Sequence, residues 1–493
     1  MTVRRTILCL VVLLLAKPGW GGQSAASWAI KDAVLIDGTG ASPLAGSVIV
    51  GRGDRIVCVG RVTDCQIPGD ATIVNAAGKW VIPGLIDTHV HLNWGADNSA
   101  HDAQVIRLAF GTTTTREAGT PRQLEQNLAA RRRTDMPDLS EPRLVVSGLV
   151  SPEGERQDAA TVAAFVRHLA DLGVDAVKIK REFDPEALRT IVSEAHARQL
   201  PVFGHTWSGH GSFLPAALAA GIDGVSHMYT FSEYAGQGNP ARPPAPDGLA
   251  YWVWTKELWN YLDEARLREA ADTLVRQHVW VEPMLVSEKY FTFPYPLPDD
   301  VAYLGEVRSL EQILRASLPI GDSGWPARRK RQARIDGVYG RMCEFVKELH
   351  QRGGVMVAGT DNLQPGPALL EEVGLLRECG LSPMDALQAA TSRAAAVIGR
   401  HDLGTIEVDR LADLSVLDGD PLADAANLRR VWRVAKGGHF YDPAVLLAAV
   451  KAAHRNESRQ VWTIRAAGAG MLVVMTGLYA SFHARRRRRS QAA

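Results

Sequence analysis

From Val81 to Asp361 the chain alternates short apolar runs with helical patterns, and this alternation does most to narrow its fold. The runs are VIPGLID, GTTTTREAG, PRLVVSGLV, VDAVKIK, PVFGHTW, DGVSHMY, VWVEPMLV and GVMVAGTD. Helical patterns fall between them near 121–133, 160–171, 212–220, 263–277 and 328–351. Asp184-Pro185 opens one more, with Asp as N-cap and Pro in the first turn. Eight strands, each followed by a helix, predict a parallel sheet, and eight such units can close into a (β/α)8 TIM barrel over about residues 83–400. The flanking segments have a different rhythm. Residues 27–82 alternate apolar and polar residues around Gly and Asp turns, and residues 401–442 return to strand character. The two flanks are expected to pair into a small β-sandwich domain formed by segments before and after the barrel.

Polar residues stand where the strands end. In PGLIDTHVHL, His89 and His91 lie two apart, so on a strand both imidazoles face one point. Neutral imidazoles so aimed suit a metal ion; alone, the pair reads equally well as two hydrogen-bonded histidines. Lys178 lies in strand four, His205 ends strand five, His227 ends strand six and Asp361 ends strand eight. Catalytic groups of this architecture gather at the C-terminal mouth, so all six are expected to converge there. Scattered core histidines have no reason to fall on three strand ends in register.

At these residues the sequence resembles the amidohydrolase superfamily, over roughly residues 28–440. VIPGLIDTHVHL resembles its strand-one motif, GTTTTREAG its strand-two segment, GVDAVKIK its carboxylated-lysine strand and GTDN its strand-eight aspartate. LADLSVLDGDPL resembles the return of the chain into the small β domain. The pattern is most similar to the binuclear branch near prolidases, related dipeptidases and imidazolonepropionase-like proteins. The resemblance implies two divalent ions, with zinc expected. His89 and His91 would bind the first and His205 and His227 the second. Lys178 would bridge them as a carbamate derived from carbon dioxide. Asp361 would ligate the first metal and move protons. A carbamate is an anionic bidentate oxygen ligand, whereas an ammonium beside two cations is disfavoured. Lys180 points to the same face of the strand, so the choice between the two lysines stays open, with the spacing from GVD favouring Lys178. Glu117 stands where the family often has Asp, and no role is attached to it.

Such a site implies hydrolysis of a C–N bond in a small-molecule substrate: a dipeptide, an N-acyl amino acid or a cyclic amide. Phosphotriester, ester or lactone hydrolysis is the alternative on the same site, and a non-catalytic assembly protein on this fold is an alternative of another class. Tyr229, two residues beyond His227, and Arg116, after strand two, are candidates for binding an anionic substrate group. Aromatic insertions at 231–262 and 287–326 are expected to overhang the mouth, as an apolar substrate pocket, a lid core or an oligomer contact. A net charge of +1 gives no basic field for nucleic acid. The ends suggest export. Arg4 and Arg5 precede the apolar run Ile7 to Ala16, with a cleavage site after Ala26, as in a signal peptide. Ala466 to Phe482 is uncharged and is followed by Arg485 to Arg489, as in a membrane or sorting segment. An exported body on the periplasmic or outer face, anchored by its tail, is therefore expected. Cys58 and Cys65 flank a short turn and could pair, whereas Cys343 and Cys379 read at least as well as free buried thiols.

Overall fold

The computed structural model describes residues 26–453, apart from 93–98, 121–122, 137, 151–157, 181, 209–210, 237–248, 291–324 and 362–364. Seven parallel strands lie side by side in sequence order. They are Leu85–Val90, Thr112–Glu117, Arg143–Leu149, Ala176–Ile179, Val202–Gly204, Gly224–Ser226 and Trp280–Glu282, here barrel strands one to seven. All seven are buried on both faces, and most are rich in apolar residues as parallel strands commonly are, with strand two (Thr-Thr-Thr-Thr-Arg-Glu) the exception. The eighth expected strand closes the ring as an extended segment making a single bridge, Val281↔Met356, rather than a full ladder. Its backbone still reaches both neighbours. Val357 N–H donates to Val281 O at 3.0 Å, and Thr88 N–H donates to Ala358 O at 3.0 Å.

Helix starts follow their side-chain chemistry. Asp184 accepts from the N–H groups of Glu186 and Ala187 at 3.0 and 2.9 Å, capping Pro185–His196 as its Asp-Pro pair predicts. Replacing such a cap typically costs about 1 kcal/mol. Leu188, Ile191, Val192 and Ala195 then turn one apolar face of this helix onto the barrel.

The flanking segments join, but not as two stacked sheets. Residues 27–83 and 414–441 form one eight-stranded sheet, and this replaces the expected sandwich. The returning strand Leu414–Leu417 pairs antiparallel with Trp80–Pro83, the strand that feeds directly into barrel strand one. Both faces of the sheet are packed, with Trp28, Ile30 and Ile49 in one cluster and Ala29, Val48 and Val50 in another. Lys436 staples the sheet to the barrel: its Nζ donates to the carbonyls of Thr134, Leu139 and Glu141 at 3.1, 2.7 and 2.7 Å.

Two further expectations are corrected. Among the described residues no helix is long and apolar enough to cross a membrane. The body is therefore not assigned as exported and tail-anchored; Ile7–Ala16, Ala466–Phe482 and the arginine block lie outside the described residues. Cys343 and Cys379 are not free thiols but a disulfide, alongside Cys58–Cys65. Cys343 lies on the helix Trp325–Gln351 before the eighth segment, and Cys379 caps the helix Pro367–Glu378 after it. A spacing of 36 residues gives no local signal for this pairing. Cross-linking a loop of that length removes chain entropy from the unfolded state. A Cys343→Ala, Cys379→Ala double variant should therefore lose roughly 3–4 kcal/mol of stability, read by denaturant titration. An unchanged midpoint would mean that the bond does not form in the isolated protein.

Candidate metal centre

The six residues expected at the mouth come from the ends of four barrel strands and the closing segment. His89 is fully buried, while His91, just past the end of strand one, keeps 32 % of its side chain exposed. His205 and His227 follow strands five and six, with rings 4.7 Å apart and edge-on. The Nζ of Lys178 lies 3.2 Å from Nε2 of His89. Asp361 spans the group: Oδ1 lies 3.4 Å from His91 Nε2 and 3.9 Å from His89 Nε2, and Oδ2 lies 3.9 Å from His227 Nε2. Lys180 is exposed, so Lys178 is the lysine brought into the centre.

Two unusual backbone sites and two glycines make this convergence possible. His227 and Asp361 have φ of 68° and 49°, in the left-handed region that non-glycine residues rarely occupy. Neighbouring strands hold both: His227 N–H donates to Glu282 O, and Asp361 N–H to His89 O, each at 2.9 Å. Such strain concentrates at functional sites. Gly359 permits the closing segment to approach, since a Cβ there would lie 2.7 Å from Cβ of His89. Gly204, beside His205, allows no side chain either, as its Cβ would meet Ile179 O at 1.9 Å.

Three imidazoles have a partner at Nδ1, which turns Nε2 inward. Nδ1 of His89 meets Glu282 Oε2 at 2.9 Å, and Nδ1 of His205 meets the Tyr229 hydroxyl at 2.9 Å. Nδ1 of His91 meets Thr120 Oγ1 at 3.3 Å, with Glu117 Oε1 behind it at 3.6 Å. Fixing the outer nitrogen sets tautomer and ring orientation for a ligand at the inner one. Burial, reinforced by Lys178, pushes His89 down to about 4 and His205 well below the ordinary range. Burial also pushes His227 well down, so these three rings are neutral, the ligating form. Burial pushes Lys178 down to about 7, far below an ordinary lysine, so a substantial share of its amine is neutral near neutral pH. Burial acts to raise Asp361, but the His91 hydrogen bond and the fields of His227 and His89 outweigh it and keep the group ionised. The ligand atoms of His89, His205 and His227 lie within 4.8 Å of one another, as do those of His89, His91 and Asp361. Nitrogen and carboxylate donors gathered this closely fit divalent ions. His89 belongs to both groups.

Two substrate-contact candidates fare differently. Tyr229 is at the centre, stacked on His227 at 4.7 Å and bonded to His205. Arg116 is not at the mouth. It is fully buried, its guanidinium is paired with Glu282, its Nε donates to Thr88 O at 2.7 Å, and it lies over the Phe203 ring. Its charge is consumed in holding Glu282. That glutamate is the functional residue sequence reading passed over. It ends strand seven in VWVEPM, and a carboxylate at a strand end was the available signal. Its Oε2 also accepts from Ser226 Oγ at 2.8 Å. Of the described aromatics of the first insertion, Tyr251 and Trp254 cluster with Leu258 on Tyr229, Trp259 and Tyr234 pack with the main core, and Tyr261 is exposed. Phe291, Phe293 and Tyr295 of the second insertion lie outside the described residues.

Comparison with known proteins agrees with this architecture. A model of the amidohydrolase family matches residues 80–440. An imidazolonepropionase of Anaeromyxobacter dehalogenans is 26% identical over 417 residues, covering 75% of this chain and 84% of the relative. The crystal structure of a Xaa-Pro dipeptidase with bound methionine superposes with a TM-score of 0.61 at 19% identity, covering 85% of this chain and 100% of that one. A putative prolidase from Bifidobacterium longum gives a TM-score of 0.60 at 23% identity, covering 87% and 100%. The two solved structures share the fold.

Proposed function

The chain belongs to the amidohydrolase family and is a hydrolase acting on carbon–nitrogen bonds, and from that premise we propose that it cleaves the amide bond of a small substrate such as a dipeptide, an N-acyl amino acid or a cyclic amide. One observation carries the reading: four histidines, a buried lysine and an ionised aspartate meet around Nε2 of His89. In this proposal His89, His91 and Asp361 hold one divalent ion and His205 and His227 a second, both zinc, with Lys178 as the bridging carbamate. Bound there, the ions supply an acidified water and polarise the substrate carbonyl. Asp361 accepts the proton of the attacking water and delivers it to the leaving nitrogen. The Tyr229 hydroxyl, fixed against His205, orients the substrate. The names of the imidazolonepropionase relative and of the dipeptidase and prolidase neighbours support an amide or peptide substrate. Purified protein assayed against dipeptides, N-acyl amino acids, cyclic amides, lactones and phosphotriesters tests this. Turnover confined to the last two classes would overturn it.

Glu282 offers a second test. Glu282→Gln replaces the carboxylate that orients His89 with a neutral amide and leaves the Arg116 charge buried without its counterion. Metal affinity, measured by competition with a chelator, should fall roughly 10- to 100-fold, the scale for losing such an outer partner. Thermal stability should fall as well. Unchanged affinity would show that His89 keeps its orientation without the carboxylate.

A further inference from the structure

Glu117, to which the proposed function gives no part, is fully buried at the end of strand two. A carboxylate buried there needs partners, and it finds them in the turn that follows. Its Oε2 accepts from the N–H groups of Gly119 and Thr120 at 3.0 and 3.3 Å, and its Oε1 accepts from the Thr120 hydroxyl. The turn is tight. Gly119 has φ 86°, in the left-handed region that suits glycine, and a Cβ there would lie 3.2 Å from Cβ of Lys178. Glu117 therefore clamps a turn that packs against one expected metal ligand and carries Thr120 to another. Oγ1 of Thr120 lies 3.3 Å from Nδ1 of His91, and Oε1 of Glu117 lies 3.6 Å from the same nitrogen.

Counting protons fixes the direction of these bonds. Three donors point at the two oxygens of Glu117, the pattern of a carboxylate, which only accepts. Thr120 has one hydroxyl proton and gives it to Glu117. Its oxygen is then an acceptor for His91, so Nδ1 carries a proton, and Nε2, 3.4 Å from Asp361 Oδ1, is the nitrogen left to bind a cation. We propose that Glu117, acting through Thr120, is a positioning residue for His91: it fixes the Nδ1–H tautomer and the ring orientation, and its negative charge strengthens Nε2 as a ligand of the first metal position. The inference rests on the metal centre proposed above. It parallels the role of Glu282 behind His89, with a hydroxyl interposed. Buried carboxylates behind a ligating imidazole act in this way. His91 has more need of such a hold than His89, because 32 % of its side chain is exposed whereas packing encloses His89 fully.

The test is zinc affinity of the whole protein, measured by competition with a chelator, beside zinc content. Thr120→Val keeps the shape of the side chain and removes the hydroxyl, whereas Thr120→Ser keeps the hydroxyl. Thr120→Val should weaken one of the two zinc ions roughly 10- to 100-fold, the scale for losing an outer partner of a metal-bound histidine, and leave the other unchanged. Thr120→Ser should bind both as wild type does, and the melting temperature of zinc-free protein should differ little among the three. Glu117→Gln, which removes the charge and sets an amide N–H against the hydroxyl or the backbone N–H groups, should weaken the same ion. If that variant does not fold, the threonine pair still decides. Equal affinity of wild type and Thr120→Val, or an equal fall in the valine and serine variants, overturns the positioning role. Wild-type protein that binds no zinc overturns it together with the proposed metal centre. Affinity is read without substrate, so this inference and amide hydrolysis fail separately.

Discussion

Asp361→Asn should lower turnover by roughly two to four orders of magnitude, the usual scale for losing a general acid–base group. The exchange is nearly isosteric, and it suits the backbone: after glycine, Asn and Asp tolerate the left-handed region best, and Asp361 sits at φ 49°. The N–H bond to His89 O survives the change, so the fold around the centre should be preserved. What disappears is the charge that faces His91, His89 and His227. Because Asp361 is also a proposed ligand, metal content must be measured beside the rate. A variant that keeps its metal and loses the rate supports proton transfer. Metal lost in proportion to rate shows ligation alone. Near-normal turnover would move the base to another group at the mouth.

The parts of this site that were legible in the sequence are those set by strand period and strand end. His89, His91, His205, His227 and Asp361 each follow or close an apolar run of a repeated unit, and one architecture places all such ends on one face. The role of Arg116 was not legible. A basic residue near the end of strand two reads as a substrate contact until its partner, 166 residues away in sequence, is seen beside it. Glu282 escaped for the same reason, since its meaning lies in its pairings with His89 and Arg116 on strands one and two rather than in local pattern. The sandwich expectation failed on topology. Alternation reports which face of each strand is buried and not which strands are hydrogen-bonded to one another, so it does not separate one continuous sheet from two. Lys178 and Lys180 share a period, and only the end of strand four at Ile179, with Lys180 exposed beyond it, separates them.

Lys178 therefore carries the second large prediction. Protein purified without chelators should contain about two divalent ions per chain, and Lys178→Met should contain about one. Turnover should fall roughly 10²- to 10³-fold, the scale for removing one electrostatic group from a site of this kind. Methionine is a fair replacement, because Lys178 is buried and its Nζ lies over the ring of Phe203. Removing an amine whose charged form burial already disfavours should leave stability unchanged or raise it, so lost activity would not reflect unfolding. The carbamate has its own signature. A neutral buried amine adds carbon dioxide, and wild type loaded in ¹³C-bicarbonate should gain one labelled carbonyl resonance that Lys178→Met lacks. A variant that keeps two metals and its rate would remove Lys178 from the centre. A variant that loses one metal while wild type shows no labelled carbon would keep the lysine at the site but deny it the bridging carbamate.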